Sequence, residues 1–426
     1  MRRTLPEKRI VLATFGSLGD LQPFLAISTE LRARGHVPVV ATSEMYRGIV
    51  TAADLEYAPV RPDRQPGQQD PDFLDRLWRE RENPADMFRE MFLPALRDSL
   101  HDLLQATQGA DAVVSHTLVS AARLAAESHR LVWVSTVMQP MGYLSAHEPP
   151  IVGPPWVAAT LRALGPWPTS RLLQVARRMT ALWTTEWHHL RAELELPATT
   201  DQPLWEGQHA PRRSLGLFPR VLGSPQADWP PQARVTGSPF FRPPDRALDP
   251  HLEHFLAAGE APLVFTLGTT AVNDAGNFYE QSAEAARRLG MRAVLVQRRA
   301  AQGQIPDQSG DIIAVPYAAH DLLFPRAAVI VHQGGIGTLS EALLAGKPML
   351  IMPYAHDQAD NAWRATRLGV ARIVPRRRYR ANVVRRSLAR LLNDYGYGAA
   401  VARISQAVAR DRGAVAAADF IEAALS

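Results

Sequence analysis

The side chains best able to do chemistry cluster in residues 329–358, V-I-V-H-Q-G-G-I-G-T-L-S-E-A-L-L-A-G-K-P-M-L-I-M-P-Y-A-H-D-Q. An apolar run ends on His332, and Gly334, Gly335 and Gly337 then let the backbone approach a ligand closely. A helix opening near Gly337 would present unpaired N–H groups and the positive end of its dipole, which is a site for an anion. A second apolar run leads to Asp357 and Gln358. Ligands of parallel α/β sheets sit at the carboxyl ends of the strands, so His332, Asp357 and Gln358 are expected to face the same crevice as the anion.

Such convergence needs a parallel sheet, and the rest of the chain has the pattern for two. Residues 9–14 (R-I-V-L-A-T) form an apolar run that ends in F-G-S-L-G-D, and leucines and alanines recur at helical spacing over 22–34 until Gly35. Further strands are expected at 36–41, 55–58, 111–115 and 131–135. After the Pro- and Gly-rich linker 237–250 the rhythm restarts at 263–267, 293–297, 312–315, 328–331, 349–352 and 371–374. Runs that are apolar throughout, rather than alternating, argue strands covered on both faces. The expected fold class is α/β, with two Rossmann-like parallel-sheet domains facing each other across a cleft. Their bounds are 1–240 and 241–412, and a terminal helix at 413–426 is open to either half, packing back on the first domain being one of the two placements.

From Arg171, the residues Leu172, Ala176, Met179, Trp183, Trp187 and Leu190 make one helical stripe. A core-facing helix is the expected reading. The alternatives are an apolar acceptor wall or a membrane-surface contact, which flanking arginines would suit.

Composition narrows the partners. A chain of 426 residues with 46% hydrophobic residues fits two soluble domains. The formal charge of +5 comes almost wholly from arginine, and no basic block is interleaved with aromatics, so nucleic acid is not an expected partner. There is no cysteine, hence no disulfide or thiol chemistry. No apolar leader and no uninterrupted span of about 18 apolar residues occur, so a cytoplasmic protein is expected, peripheral at most to the inner face of the membrane.

Several familiar chemistries fail on spacing. The loop after the first strand lacks the third glycine of a dinucleotide fingerprint, and the second strand ends V-V-A-T without a ribose-binding acid. No glycine stands five residues before Gly346, so Lys347 does not belong to a Walker A loop. Phe15 occupies the first glycine position of a nucleophile elbow, which excludes hydrolase chemistry at Ser17. Asp70-Pro71-Asp72 reads as a solvated turn. His251, Glu253 and His254 have the wrong spacing for a zinc helix, so no metal is expected.

The 329–358 stretch resembles the donor-binding signature of the GT-B family 1 glycosyltransferases. G-S-L-G-D-L-Q-P-F (16–24) is similar to the first loop of bacterial members that include sterol and antibiotic glycosyltransferases. L-S-A-H-E-P-P (144–150), L-F-P to D-W-P (217–230), V-T-G-S-P-F-F (235–241) and A-H-D-Q-A-D-N-A (355–362) resemble the rhamnosyltransferases of rhamnolipid synthesis.

The resemblance implies that His332, Thr338 and the backbone at Gly334, Gly335 and Gly337 hold a diphosphate. Glu341 takes the ribose hydroxyls, Asp357 and Gln358 read the sugar, Thr269 touches phosphate, and Tyr317 lies beside the base. Glu341 stands one residue further from its histidine than in the plant form of the signature, so Gln333 shares the phosphate contact. On the acceptor side stand Ser17 and His147.

Asp20 matches the aspartate that takes the acceptor proton in bacterial members. The other role open to it is to cap a helix starting near Gln22, and His116 and His147 are the alternative bases. The implied activity is inverting, metal-independent transfer of a hexose from a UDP- or dTDP-sugar to a hydroxyl of an apolar acceptor: hydroxy-fatty acid, sterol, carotenoid or polyketide. No cofactor beyond that donor is implied. The competing readings are a nucleotide-sugar-binding, epimerase-like protein of the same fold and a nicotinamide-dependent reductase, which the two missing fingerprints disfavour.

Overall fold

Strands that are apolar at every position must be buried on both faces, and the structure shows why the sequence has so many of them. The structure, a computed structural model, describes residues 6–63, 88–268, 275–297 and 310–426. Among these, 6–63, 88–242 and 412–426 form one unit, and 243–268, 275–297 and 310–411 form a second.

The first unit holds β1 (Arg9–Ala13), β2 (Val37–Thr42), β3 (Glu56–Pro59), β4 (Ala112–His116), β5 (Val132–Val137), β6 (Ser214–Gly216) and β7 (Arg234–Val235). They pair in parallel in the order β3-β2-β1-β4-β5-β6-β7. Ile10, Val11 and Leu12 on β1 and Val113 and Val114 on β4 have no exposure. Each such side chain contributes about 1.5–3 kcal/mol by leaving water. The centre of the sheet is therefore the rigid part, and the loops at its carboxyl edge are held on it.

The second unit repeats the plan with β8 (Leu263–Thr266), β9 (Ala293–Val296), β10 (Ile312–Val315), β11 (Val329–His332), β12 (Met349–Ile351) and β13 (Ala371–Ile373). Their order is β10-β9-β8-β11-β12-β13, again all parallel. In both sheets the winding reverses beside the first strand, between β1 and β4 and between β8 and β11. Loops diverge at such a switch point and leave a crevice at the carboxyl edge.

The last helix, Gly413–Leu425, packs on the Leu18–Ala33 helix and on β5 within the first unit. Arg34 ties it down, donating to Asp419 at 2.8 Å and Glu422 at 2.7 Å.

Three local expectations need correcting. The first helix begins at Leu18, not near Gln22, because Ser17 caps it. Strands β6 and β7, of three and two residues, have no counterpart in the expected pattern; they are too short to show a period. The stripe that starts at Arg171 does not face the core along its length. Trp187 and Leu190 are buried, but Leu172 is 51% and Met179 72% exposed. The helix Pro166–Thr180 ends in a 3-10 turn, Ala181–Thr184, before Thr185–Glu193 continues. A turn with three residues per revolution shifts the phase of the helix after it, so the two ends of the stripe lie on different faces.

Candidate active site

In the second unit the polar groups gather where β11 meets its loop. Gly334 has φ +97, and a Cβ there would lie 2.9 Å from Ile351 and 3.0 Å from the carbonyl of Gln358, so only glycine fits. Gly335 is the N-cap of the Ile336–Leu344 helix and offers no side chain to its first turn, which also carries no acid. The first-turn N–H groups therefore meet no side-chain cap, and nothing would crowd a Cβ on Gly337 within 4 Å. Thr338 sits in this first turn, 8% exposed, and half-buried Glu341 stands one turn after Gly337 on the same face.

His332 is fully buried, and its Nδ1 accepts the N–H of Gly334 at 3.1 Å. Burial, helped by nearby His320, pushes its pKa down to about 3, so the ring is neutral. Because Nδ1 accepts, the ring proton resides on Nε2, which has no hydrogen-bond partner among the described residues. A buried donor left unpaired costs about 1–3 kcal/mol. The loop thus holds a neutral N–H donor in reserve beside an uncapped helix terminus.

Gln333, 4% exposed, joins the two loops of the switch point. Cβ atoms on Gly268 and Gly335 would come within 2.3 and 2.9 Å of its Nε2, so both glycines make room for its carboxamide. Its Oε1 has no partner among the described residues. Gly268 ends the described part of the loop after β8; Thr269 and the Asp70-Pro71-Asp72 turn lie outside the described residues.

After β12, Gln358 spends its Oε1 on the backbone, accepting from Tyr354 N at 2.8 Å and Ala355 N at 3.3 Å. Asp357 Oδ2 accepts from Asn361 Nδ2 at 2.6 Å, and the same nitrogen donates to the carbonyl of Gly334 at 3.0 Å. Asn361 is fully buried and couples the glycine loop to Asp357. Sequence reasoning gave it no role. Its position four residues after Asp357, one helical turn on, was the available signal. Tyr317 projects from the loop after β10. Partial desolvation of its hydroxyl, with the charges of Asp321 and Glu341, holds the phenol above its ordinary pKa, although the residue is 69% exposed.

In the first unit the corresponding loop follows β1. Gly16 has φ +131, and a Cβ there would lie 2.4 Å from Asp20 Oδ2. Ser17 accepts the N–H of Gly19 at 3.2 Å, while its own N–H and hydroxyl both donate to Asp20 Oδ2, at 2.7 and 2.9 Å. This is a reciprocal capping box, with Asp20 as its third helical residue. The Asp20 carboxylate is oriented through one oxygen only. Its Oδ1 makes no hydrogen bond among the described residues. Ser17 is engaged in the cap.

His116 ends β4, 4% exposed, with Nδ1 3.3 Å from the carbonyl of Phe15. Burial lowers its pKa against the opposing pull of Asp20 and of that carbonyl. Beside this loop a small cavity, with room for little more than a water, is lined by Phe15, Phe92, Leu96 and Val119 together with Arg61, Ser99 and Ser120. His147 is exposed on a braced loop: Asp228 accepts from Ser145 Oγ and Ala146 N, both at 2.6 Å, and Ser145 Oγ accepts the N–H of His147 at 3.1 Å. Among the described residues no group of three or more His, Cys, Asp or Glu could hold a metal ion.

Comparison with known proteins gives the same two-part division. Residues 10–106 match the glycosyltransferase family 28 N-terminal domain, and residues 290–419 match the C-terminal domain of erythromycin biosynthesis protein CIII-like proteins. The chain is 34% identical to the O-mycaminosyltylonolide 6-deoxyallosyltransferase of Streptomyces fradiae, covering 97% of each chain. It is 26% identical to the vancomycin aglycone glucosyltransferase of Amycolatopsis orientalis, over 85% of this chain and 84% of that one. Its fold is similar to the glycosyltransferase of kitacinnamycin, with TM-score 0.76, 22% identity and 99% of each chain covered. It is also similar to the glycosyltransferase VinC in complex with dTDP, with TM-score 0.71, 17% identity, and 98% of this chain and 99% of that one covered. The chain belongs to the GT-B glycosyltransferases of the antibiotic and sterol type, and it is a glycosyltransferase.

Proposed function

We propose that the protein transfers a hexose from a dTDP- or UDP-sugar to a hydroxyl of an apolar natural product, with inversion at the anomeric carbon and without a metal. The observation that carries this reading is the uncapped start of the Ile336–Leu344 helix next to the unpartnered Nε2–H of His332. Preorganised donors of this kind act on charge that develops during reaction. As the bond from the anomeric carbon to the diphosphate breaks, its electron pair goes to the diphosphate oxygen, where the helix N–H groups and His332 receive it. Gln333 supplies a neutral carboxamide to the same anion, and Asp357, held by Asn361, accepts from the sugar hydroxyls.

The acceptor hydroxyl gives its proton to Asp20 Oδ1 as its oxygen attacks the anomeric carbon. Ser17 supports this role by fixing Oδ2 and leaving Oδ1 open. The buried ring of His116 suits it less as the base. Two relatives support a macrolide-like acceptor and a dTDP donor: one is named for action on O-mycaminosyltylonolide and the other is complexed with dTDP.

Incubation with dTDP- and UDP-hexoses and a panel of aglycones, with and without a chelator, tests the proposal. A glycoside of inverted configuration formed at an unchanged rate with chelator present is the expected product. Retention of configuration, or release of an epimerised nucleotide sugar without transfer, would overturn it.

A further inference from the structure

The Pro166–Thr180 helix is turned apolar side out. Its inward positions are Thr169, Leu173, Ala176, Arg177 and Thr180, whereas Trp167, Leu172, Val175 and Met179 are 69%, 51%, 51% and 72% exposed. A surface helix of a soluble protein normally shows the reverse. The preceding helix, Pro155–Leu164, packs beside it across Gly165 and adds Trp156 and Leu164, 69% and 63% exposed; Leu182 follows at 84%. A contiguous exposed apolar area of this kind marks a contact surface.

Charge says what covers it. Between Glu148 and Glu186 the sequence has no acid and four arginines. Arg177 is turned away and paired with Glu206 at 2.9 Å. Arg171 stacks over the Trp167 ring at 5.5 Å, and Arg171 and Arg178 form no ion pair among the described residues. At 100° per residue, Arg171 and Arg178 fall along one border of the stripe formed by Leu172, Val175 and Met179.

A second copy of the chain would press the same arginines against their equivalents with no acid on the face to answer them. The geometry points to an anionic lipid surface as the occupant. The two helices lie in the headgroup boundary, Trp156 and Trp167 settle at the depth tryptophan prefers, and Arg171 and Arg178 pair with lipid phosphates. No helix among the described residues is long and apolar enough to cross a membrane, so the contact is in-plane. This inference does not depend on which sugar or acceptor the enzyme uses.

Flotation of the full-length protein with vesicles tests it, using equal parts phosphatidylglycerol and phosphatidylcholine against phosphatidylcholine alone. Binding to the anionic vesicles should exceed binding to the neutral ones by tenfold or more, with a blue shift of tryptophan emission. It should weaken about fivefold for each of Arg171→Gln and Arg178→Gln. Val175→Asp with Met179→Asp, at solvent-facing positions, should abolish it while the melting temperature stays within a degree or two. Absence of binding at millimolar anionic lipid would overturn the inference. So would a dimer in sedimentation that the Val175→Asp/Met179→Asp variant dissolves. Binding that survives that variant but fails with the arginine variants would make the face a general polyanion site, acidic proteins included, and would also overturn it.

Discussion

His332 Nδ1 accepts the N–H of Gly334 at 3.1 Å, and that single bond settles the chemistry of the ring. It fixes the proton on Nε2 and leaves a neutral donor, not a cation, beside the start of the Ile336–Leu344 helix. A neutral donor is less costly to bury than a charge and still strengthens when a ligand oxygen becomes more negative. The positive character of the site comes from the helix terminus instead.

Buried neutral histidines make stability depend on pH. His209, 7% exposed, has its pKa lowered to about 4 by burial, and His332 to about 3. Both folded values lie below the ordinary histidine value of about 6.5, so the unfolded chain binds more protons as pH falls through that value. Stability from these groups is complete above about pH 6.5. It declines as the solution is acidified toward their folded values, by about 1.4 kcal/mol per pH unit for each histidine. Thermal melts between pH 7.5 and 5 should show this decline, and it should flatten in a His209→Gln, His332→Gln double variant. An unchanged slope in that variant would assign the decline to other groups.

Asp20→Asn separates the two jobs of Asp20. The asparagine carbonyl can still accept from Ser17, so the helix start survives and the melting temperature should move by no more than a few degrees. Turnover should fall by at least a hundredfold, since general-base catalysis is worth about 10²–10⁴, and donor affinity should stay within about twofold. Loss of donor affinity in step with turnover would make Asp20 structural only. Gly16→Ala should do more harm to the fold, because its Cβ would displace the Asp20 carboxylate.

Ser17→Ala removes the cap and one of the two bonds to Asp20 Oδ2. Denaturant unfolding should register a loss of about 1 kcal/mol. The acceptor KM should change less than kcat, because the serine acts by orienting Asp20.

How much of the fold and site is legible in the sequence depends on the length scale of each signal. The central strands are readable because burial on both faces forces runs of consecutive apolar residues, as at 10–13 in β1, 263–265 in β8 and 329–331 in β11. The glycine loop is readable because Gly334 has no substitute at its backbone angle. The box at Ser17 and Asp20 is written in the sequence as a serine three residues before an acid, yet a helical period counted from Gln22 hides it. The outward stripe of 172–179 is not readable. Periodicity shows that a face exists, not which way tertiary packing turns it, and the 3-10 turn at Ala181–Thr184 breaks the phase. Asn361 escapes notice because its two acceptors, Gly334 and Asp357, come from different loops.

Asn361→Leu should lower stability by about 1–3 kcal/mol, since the Gly334 carbonyl and Asp357 lose a buried donor. Steady-state kinetics should show the donor KM rising more than kcat falls. Asn361→Asp, which sets a second carboxylate against Asp357, should be worse on both measures. Wild-type kinetics in the leucine variant would mean that the loop holds its shape without this link.

The proposed transfer stands or falls on a diphosphate bound at the helix start beside His332. Calorimetric titration tests this directly, with dTDP, UDP and the matching nucleosides added to the wild type and to His332→Ala. The diphosphates should bind at least a hundredfold more tightly than the nucleosides, and His332→Ala should lose about tenfold or more of that preference while nucleoside binding stays the same. Equal affinity for nucleoside and nucleoside diphosphate, or an unaltered preference in His332→Ala, would contradict a diphosphate site at this helix start.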